Sequence, residues 1–206
     1  MSELEKMLQG KVYDPSDKQL LTARQKAHRL SKLYNDTFET EVDKRNKILD
    51  ELIPNKKDGV FLQGPIYFDY GIFTSIGKNT YANFNLTVLD CCPVTIGNNV
   101  FIGPNVSLLT PIHPLRYQDR NIYYNKEKGY HTDKEYAAPI VIEDDCWIAG
   151  NVTICGGVKI GRGSVIGAGS VVTKDIEENS LAFGNPCRVK RKITDEDKLE
   201  LKTHLF

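Results

Sequence analysis

A six-residue repeat constrains this chain more than any other feature. Ile142, Ile148, Ile154, Ile160, Ile166 and Val172 stand six positions apart, and an earlier stretch keeps the spacing with Ile96, Ile102 and Leu108. Ile76-Gly77 starts another turn of it, and Gly97, Gly103, Gly161 and Gly167 directly follow other leads. Four residues after many leads comes a second small or β-branched residue, as at Val100, Val106, Val152 and Ser164. A period of six is neither the roughly 3.6 of a helix nor the plain alternation of a strand. It suits a solenoid whose short flat strands are joined by sharp turns, three hexads closing one triangular coil. The branched lead points into the prism and stacks on its equivalents in neighbouring coils. Gly and Asn, which tolerate positive φ, make the corners.

The repeat divides the chain into zones. Residues 1–57 are charged and helical in pattern: Leu20, Leu21, Ala27, Leu30, Leu33 and Tyr34 form one apolar face, and a second helix runs from Val42 to Leu52, ending before Pro54. Residues 58–187 carry the hexads. They are broken once, by an insertion over 114–138 that has no hexad and many turn formers. A long insertion on one side of a solenoid is usually functional. Lys126, Glu127 and Lys128 beside Gly129 predict an exposed, bendable tip, and the insertion's tyrosines offer rings and hydroxyls that could border a binding site or pack on the insertion's own coil. Residues 188–206 are charged, with a short terminal helix expected.

Charge and cysteine usage narrow the function. The 27 Lys+Arg balance 27 Asp+Glu, which argues against a general nucleic-acid binder or an anionic-membrane binder. No apolar run approaches the ~20 residues of a membrane span, and the first residues, MSELEKMLQGK, lack a signal peptide's apolar stretch. The five cysteines include no C-x-x-C pair, so free thiols in a reducing cytoplasm are expected. No metal-ligand cluster is visible, and no metal is expected.

Four histidines are present, His28, His113, His131 and His204. His113 stands where the repeat stops and the insertion begins, between Pro111 and Pro114, which stiffen its backbone. An imidazole there could serve as a general base near neutral pH or be a surface loop residue. His131 reads as a solvated loop residue. Asp69 and Asn83 could bind a ligand or simply turn β-helix corners.

FDYG at Phe68–Gly71, YANFN at Tyr81–Asn85, LDCCPVTIG, HPL at His113, VIGAGSVVTKDI and GNPCRV, together with GKVYD and RNKILDEL in the helical zone, resemble the hexapeptide-repeat acetyltransferases of the maltose and galactoside O-acetyltransferase group. The resemblance spans nearly the whole chain. It implies a mainly β, left-handed parallel β-helix with an N-terminal helical domain. It also implies transfer of acetyl from acetyl-CoA to a sugar hydroxyl, and a homotrimer with sites between subunits. His113 matches the base. Arg24, Asp69, Tyr81, Asn83 and Asp90 match acceptor-binding positions; the galactoside pattern has a second aspartate where this chain has Cys91. Trp147, Gly150, Ala168, Thr173, Lys174, Arg188 and Arg191 match the coenzyme side, with the Gly150 amide a plausible oxyanion donor. A same-fold acetyltransferase acting on a non-sugar acceptor such as an antibiotic, a β-helix carbonic anhydrase and a non-catalytic scaffold stay as alternatives. The carbonic anhydrase fits poorly, since it needs three histidine ligands.

Overall fold

The computed structural model describes residues 1–201. The charged start folds into α1 (Glu3–Leu8), α2 (Lys18–Asn35) and α3 (Val42–Leu52). Ser2 and Glu5 form a capping box for α1, and Asp17 caps α2 by accepting from the amides of Gln19 and Leu20. α2 buries Leu20, Ala27, Leu30 and Tyr34. Leu21 and Leu33 were expected on the same face but are exposed. At about 100° per residue they fall well off the buried stripe. α3 covers the predicted span and brings the buried Arg45 against the top of the solenoid, where one of its nitrogens donates to Tyr34 Oη (2.7 Å) and to the carbonyls of Leu62 (2.7 Å) and Gln63 (2.9 Å).

From Asn55 onward the chain winds as a left-handed parallel β-helix with three faces. The first face already includes Asn55–Lys56, so the solenoid starts slightly before the boundary read at residue 57. It continues with Thr74–Ile76, Val94–Ile96, Ile140–Ile142 and Lys159–Ile160. The second face stacks Phe61–Leu62, Tyr81–Ala82, Phe101–Ile102, Trp147–Ile148, Val165–Ile166 and Ser180–Phe183. The third stacks Ile66–Phe68, Leu86–Leu89, Ser107–Leu109, Thr153–Cys155 and Val171–Val172.

The hexad leads form the interior. Ile76, Ile96, Ile142 and Ile160 pair in register on the first face, Ile102, Ile148 and Ile166 on the second, and Leu108, Ile154 and Val172 on the third. All are buried in one cluster that extends up to Ala27, Leu30 and Leu49 of the helices. Neither helix covers enough apolar surface to fold alone, and the solenoid's top coil would otherwise be open; each supplies the other's missing wall. Between the second and third faces, Asn85, Asn105 and Asn151 sit at φ of 62°, 57° and 59°. Their amides hydrogen-bond in a ladder at 2.9 and 3.1 Å.

The predicted terminal helix is absent among the described residues. Arg188–Lys192 instead forms an antiparallel strand against Ser180–Phe183, followed by single 3-10 turns at Asp195–Asp197 and Leu199–Leu201. His204 lies outside the described residues.

Candidate active site

The insertion leaves the prism at the corner between the third and first faces. Its ends meet there, the Ala138 amide donating to the Thr110 carbonyl at 3.0 Å. The strand leading into it, Pro111–Ile112, pairs antiparallel with Tyr136–Ala137 near its end, in the register Ile112 to Tyr136. The next residues outward on the two strands are His113 and Glu135. The His113 side chain is half exposed, with Nδ1 3.7 Å from Asp133 Oδ2 and Nε2 3.8 Å from Glu135 Oε1. One carboxylate thus flanks each ring nitrogen, close enough for an ion pair but beyond hydrogen-bond distance.

Glu135 is itself held. Its other carboxylate oxygen accepts from Tyr13 Oη at 2.6 Å, and Tyr13 and Glu135 exchange backbone hydrogen bonds at 2.9 and 3.3 Å. Burial first, then Cys91 and Glu135, push the Tyr13 phenol far above its ordinary range, so it remains a neutral donor. Cys91 Sγ lies 3.7 Å from Asp69 Oδ2, and Asp69 Oδ1 lies 3.4 Å from His28 Nε2. Burial likewise raises the Cys91 thiol well above its usual value, so it stays protonated. Arg24 of α2 donates towards Tyr70 Oη at 3.5 Å. A cavity of about 530 Å³ opens beside Asp69 between α2 and the third face, with His28, Ser31, Lys32, Asn35 and Tyr67 among its lining residues.

Asp90 does not fit the acceptor set. It is 0 % exposed. Its carboxylate accepts from the amides of Tyr70 (2.8 Å) and Gly71 (3.1 Å) and from Thr74 Oγ1 (2.9 Å). These bonds turn its oxygens inward, so Asp90 shapes the turn that carries Tyr70 and offers a ligand no accessible atom.

The remaining sequence-selected residues divide between two edges of the prism. Thr173 and Lys174 follow Val171–Val172 on the same edge as His113. Tyr81 and Trp147 lie on the second face, in a ladder with Phe61 and Phe101. Asn83, Gly150 and Ala168 lie at the corner that follows it. A side chain at Gly103 would come within 2.6 Å of the Gly150 nitrogen, so the two coils approach closely there. Arg188 and Arg191 pair with Phe183 and Leu181 at the lower end of the second face. Arg191 is already engaged by Asp197, at 2.7 and 2.8 Å through two of its nitrogens. The Leu86–Leu89 stretch of the third face separates the two edges by about 15 Å.

Sequence reasoning missed Tyr13, Asp133 and Glu135. The available signal was topological: an insertion that returns to Pro139 must run its last residues back past its first. His113, Asp133 and Glu135 are also a group of three possible metal donors, with ligand atoms within 4.8 Å of one another, which sequence separations of 20 and 22 residues concealed. The insertion's tip is not free. Lys128 reaches Asp14 at 2.7 Å and Glu3 at 3.4 Å in the same chain. No described helix is long and apolar enough to cross a membrane.

Comparison with known proteins bears on the family and the fold. The family described as the maltose acetyltransferase hexapeptide capping motif matches residues 6–57, and that described as the bacterial transferase hexapeptide (six repeats) matches residues 139–174. The galactoside O-acetyltransferase of Escherichia coli is 40 % identical over 96 % of this chain and 93 % of its own length. The crystal structure of a maltose O-acetyltransferase from Clostridium difficile superposes with a TM-score of 0.83 at 42 % identity, covering 95 % of this chain and 99 % of that one. A galactoside acetyltransferase solved in complex with coenzyme A gives a TM-score of 0.85 at 38 % identity, covering 96 % of this chain and 94 % of that one.

Proposed function

The chain belongs to the hexapeptide-repeat acetyltransferases of the maltose and galactoside O-acetyltransferase family, and from that premise we propose that it moves acetyl from acetyl-CoA to a hydroxyl of a sugar or glycoside with His113 as general base. One observation carries this reading: His113 projects from the mouth of the insertion with a carboxylate beside each ring nitrogen. The hydroxyl oxygen bonds to the thioester carbonyl carbon while its proton passes to the imidazole. The tetrahedral intermediate then collapses, the C–S bond breaks, and the proton passes from the imidazole to the departing thiolate. Asp133 and Glu135 flank the ring throughout this exchange. A cation held by His113, Asp133 and Glu135 would occupy a ring nitrogen that this step needs free.

The division of the residues between two edges supports a site shared by subunits. Asp69, Arg24, Thr173 and Lys174 accompany the base, while Tyr81, Asn83, Trp147, Gly150, Ala168, Arg188 and Arg191 lie across the third face. In a homotrimer the base edge of one copy meets the second-face edge of the next. The Gly150 amide then receives the oxyanion formed beside the neighbour's His113, and a coenzyme can touch both sets. Five free cysteines, four of them buried, fit a reducing cytoplasm.

The test is His113→Ala with acetyl-CoA and a panel of glycosides and non-sugar alcohols, read by release of the CoA thiol. kcat is expected to fall by ~10²–10⁴ with coenzyme affinity kept. Near-normal turnover sinks the base assignment, and turnover confined to non-sugar acceptors sinks the sugar assignment.

A further inference from the structure

Asp14, the partner of Lys128, lies in the loop before α2 and is only 7 % exposed. Its carboxylate gathers the inner, returning strand of the insertion, Tyr130–Thr132, which pairs antiparallel with the outgoing strand Tyr123–Asn125. Lys128 Nζ donates to Oδ2 at 2.7 Å and Tyr130 Oη to the same oxygen at 2.9 Å, while Thr132 Oγ1 donates to Oδ1. The Ser16 amide completes the shell at 3.0 Å, and the Asp14 amide is held by Glu3 at 2.8 Å. Tyr130 and Thr132 alternate in the strand, so one of its sides faces Asp14, and Lys128 reaches Asp14 from the turn before it. Asp133 and Glu135 follow at once, and Tyr13, next to Asp14, takes up the pairing with Glu135. On the outgoing side Ile122, Tyr123 and Tyr124 are exposed.

We propose that Asp14 is a positioning residue for the reaction: by clamping residues 128–132 it fixes where Asp133 and Glu135 stand against His113. The inference rests on His113 being the base. It assigns the inner strand of the insertion a fixed supporting part rather than that of a moving cover. Neither carboxylate beside His113 is within hydrogen-bond distance of the ring, so where the strand holds them decides whether either can close on a ring nitrogen during the reaction. A misplacement on the order of 1 Å at a reacting group can cost about 10²-fold in rate.

The experiment compares Asp14→Asn, the pair Tyr130→Phe with Thr132→Val, and all three changes together, each in the full-length assembled protein. Two quantities are read: amide hydrogen exchange over residues 128–136, and kcat and KM for acetyl-CoA. Asp14→Asn is expected to speed exchange there and to lower kcat about 10- to 100-fold, with KM for acetyl-CoA within about twofold. The Tyr130/Thr132 pair should reproduce the pattern, and the triple variant should add little, because all three residues serve one clamp. Faster exchange with unchanged kcat, while His113→Ala is inactive, overturns the positioning role and leaves the base reading standing. An active His113→Ala overturns the base reading and the proposal with it. Lost activity with unaltered exchange also overturns the proposal.

Discussion

Asp14 and Asp90 are both buried carboxylates, and their surroundings set them apart. Asp90 takes two backbone amides and a hydroxyl with no cation among its hydrogen-bond partners, and burial, the dominant influence, raises its carboxyl above the ordinary range. At Asp14 burial also opposes the charge, but Lys128, Thr132, Tyr130 and the Ser16 amide outweigh it and hold the carboxyl below that range. The consequence for pH follows from linkage. A carboxyl lowered on folding contributes stability that is fully present above its unfolded value, near 4, and is lost as pH falls through its lower folded value. Glu3, which pairs with Lys6 and Lys128 at the same node, is lowered too. The informative quantity is therefore the difference in thermal midpoint between the wild type and Asp14→Asn. It should be constant from neutral pH to about 5 and shrink below about 4. A difference independent of pH down to 2 would mean that the charge of Asp14 contributes nothing to the clamp.

The elements show which parts of the fold were legible in the sequence. Each coil repeats the same requirement, a branched residue inside and a left-handed corner, so Ile142 to Val172 and the asparagine corners could be read directly. His113 was legible because it marks the break in that repeat. Its neighbours Asp133 and Glu135 were not, because an antiparallel return strand brings them in and such a strand leaves no periodic trace across 20 residues of insertion. Asp90 was misread because an aspartate beside a turn looks alike whether its carboxylate faces inward or outward. The C-terminal strand corrects the reading of the coenzyme cations in a similar way. Its pairing with Ser180–Phe183 puts Arg188 and Arg191 beside the second face, yet Arg191 is held by Asp197 while Arg188 donates one nitrogen to the Cys187 carbonyl. A phosphate approaching Arg191 must displace a carboxylate. Arg188→Ala should therefore raise KM for acetyl-CoA more than Arg191→Ala does, and Asp197→Asn should lower it. Both effects should fade as salt rises, since exposed charges are screened over ~8–10 Å at ordinary ionic strength. Equal effects of the two arginine replacements at low salt would count against this ranking.

At the scale of the whole molecule, the proposed site divides its residues between two edges of one chain, and among the described residues an aromatic ladder stands exposed on the second face. Phe61, Tyr81, Phe101 and Trp147 stack down the second face, with ring centroids 6.0 and 6.3 Å apart in its upper part. Phe61, Phe101 and Trp147 are 43 %, 57 % and 47 % exposed. A continuous apolar stripe of this kind is what a subunit contact would bury. A closed ring of three places the same two edges together three times, so every base edge meets a neighbour's coenzyme edge. Mixed trimers test this directly. His113→Ala removes the base and leaves the coenzyme edge intact. Ala168→Trp puts a bulky ring on the exposed corner of the coenzyme edge and leaves the base intact. Each variant alone should be nearly inactive. When the two are co-expressed in equal amounts, a site works if its base comes from an Ala168→Trp chain and its coenzyme edge from a His113→Ala chain. Random assembly provides that combination in roughly a quarter of sites, so about a quarter of wild-type activity should return. If base and coenzyme edge served the same chain's reaction, no combination of these two variants could make a working site. Co-expressed protein no more active than the two variants measured separately, with trimers confirmed by light scattering, would therefore refute the shared site.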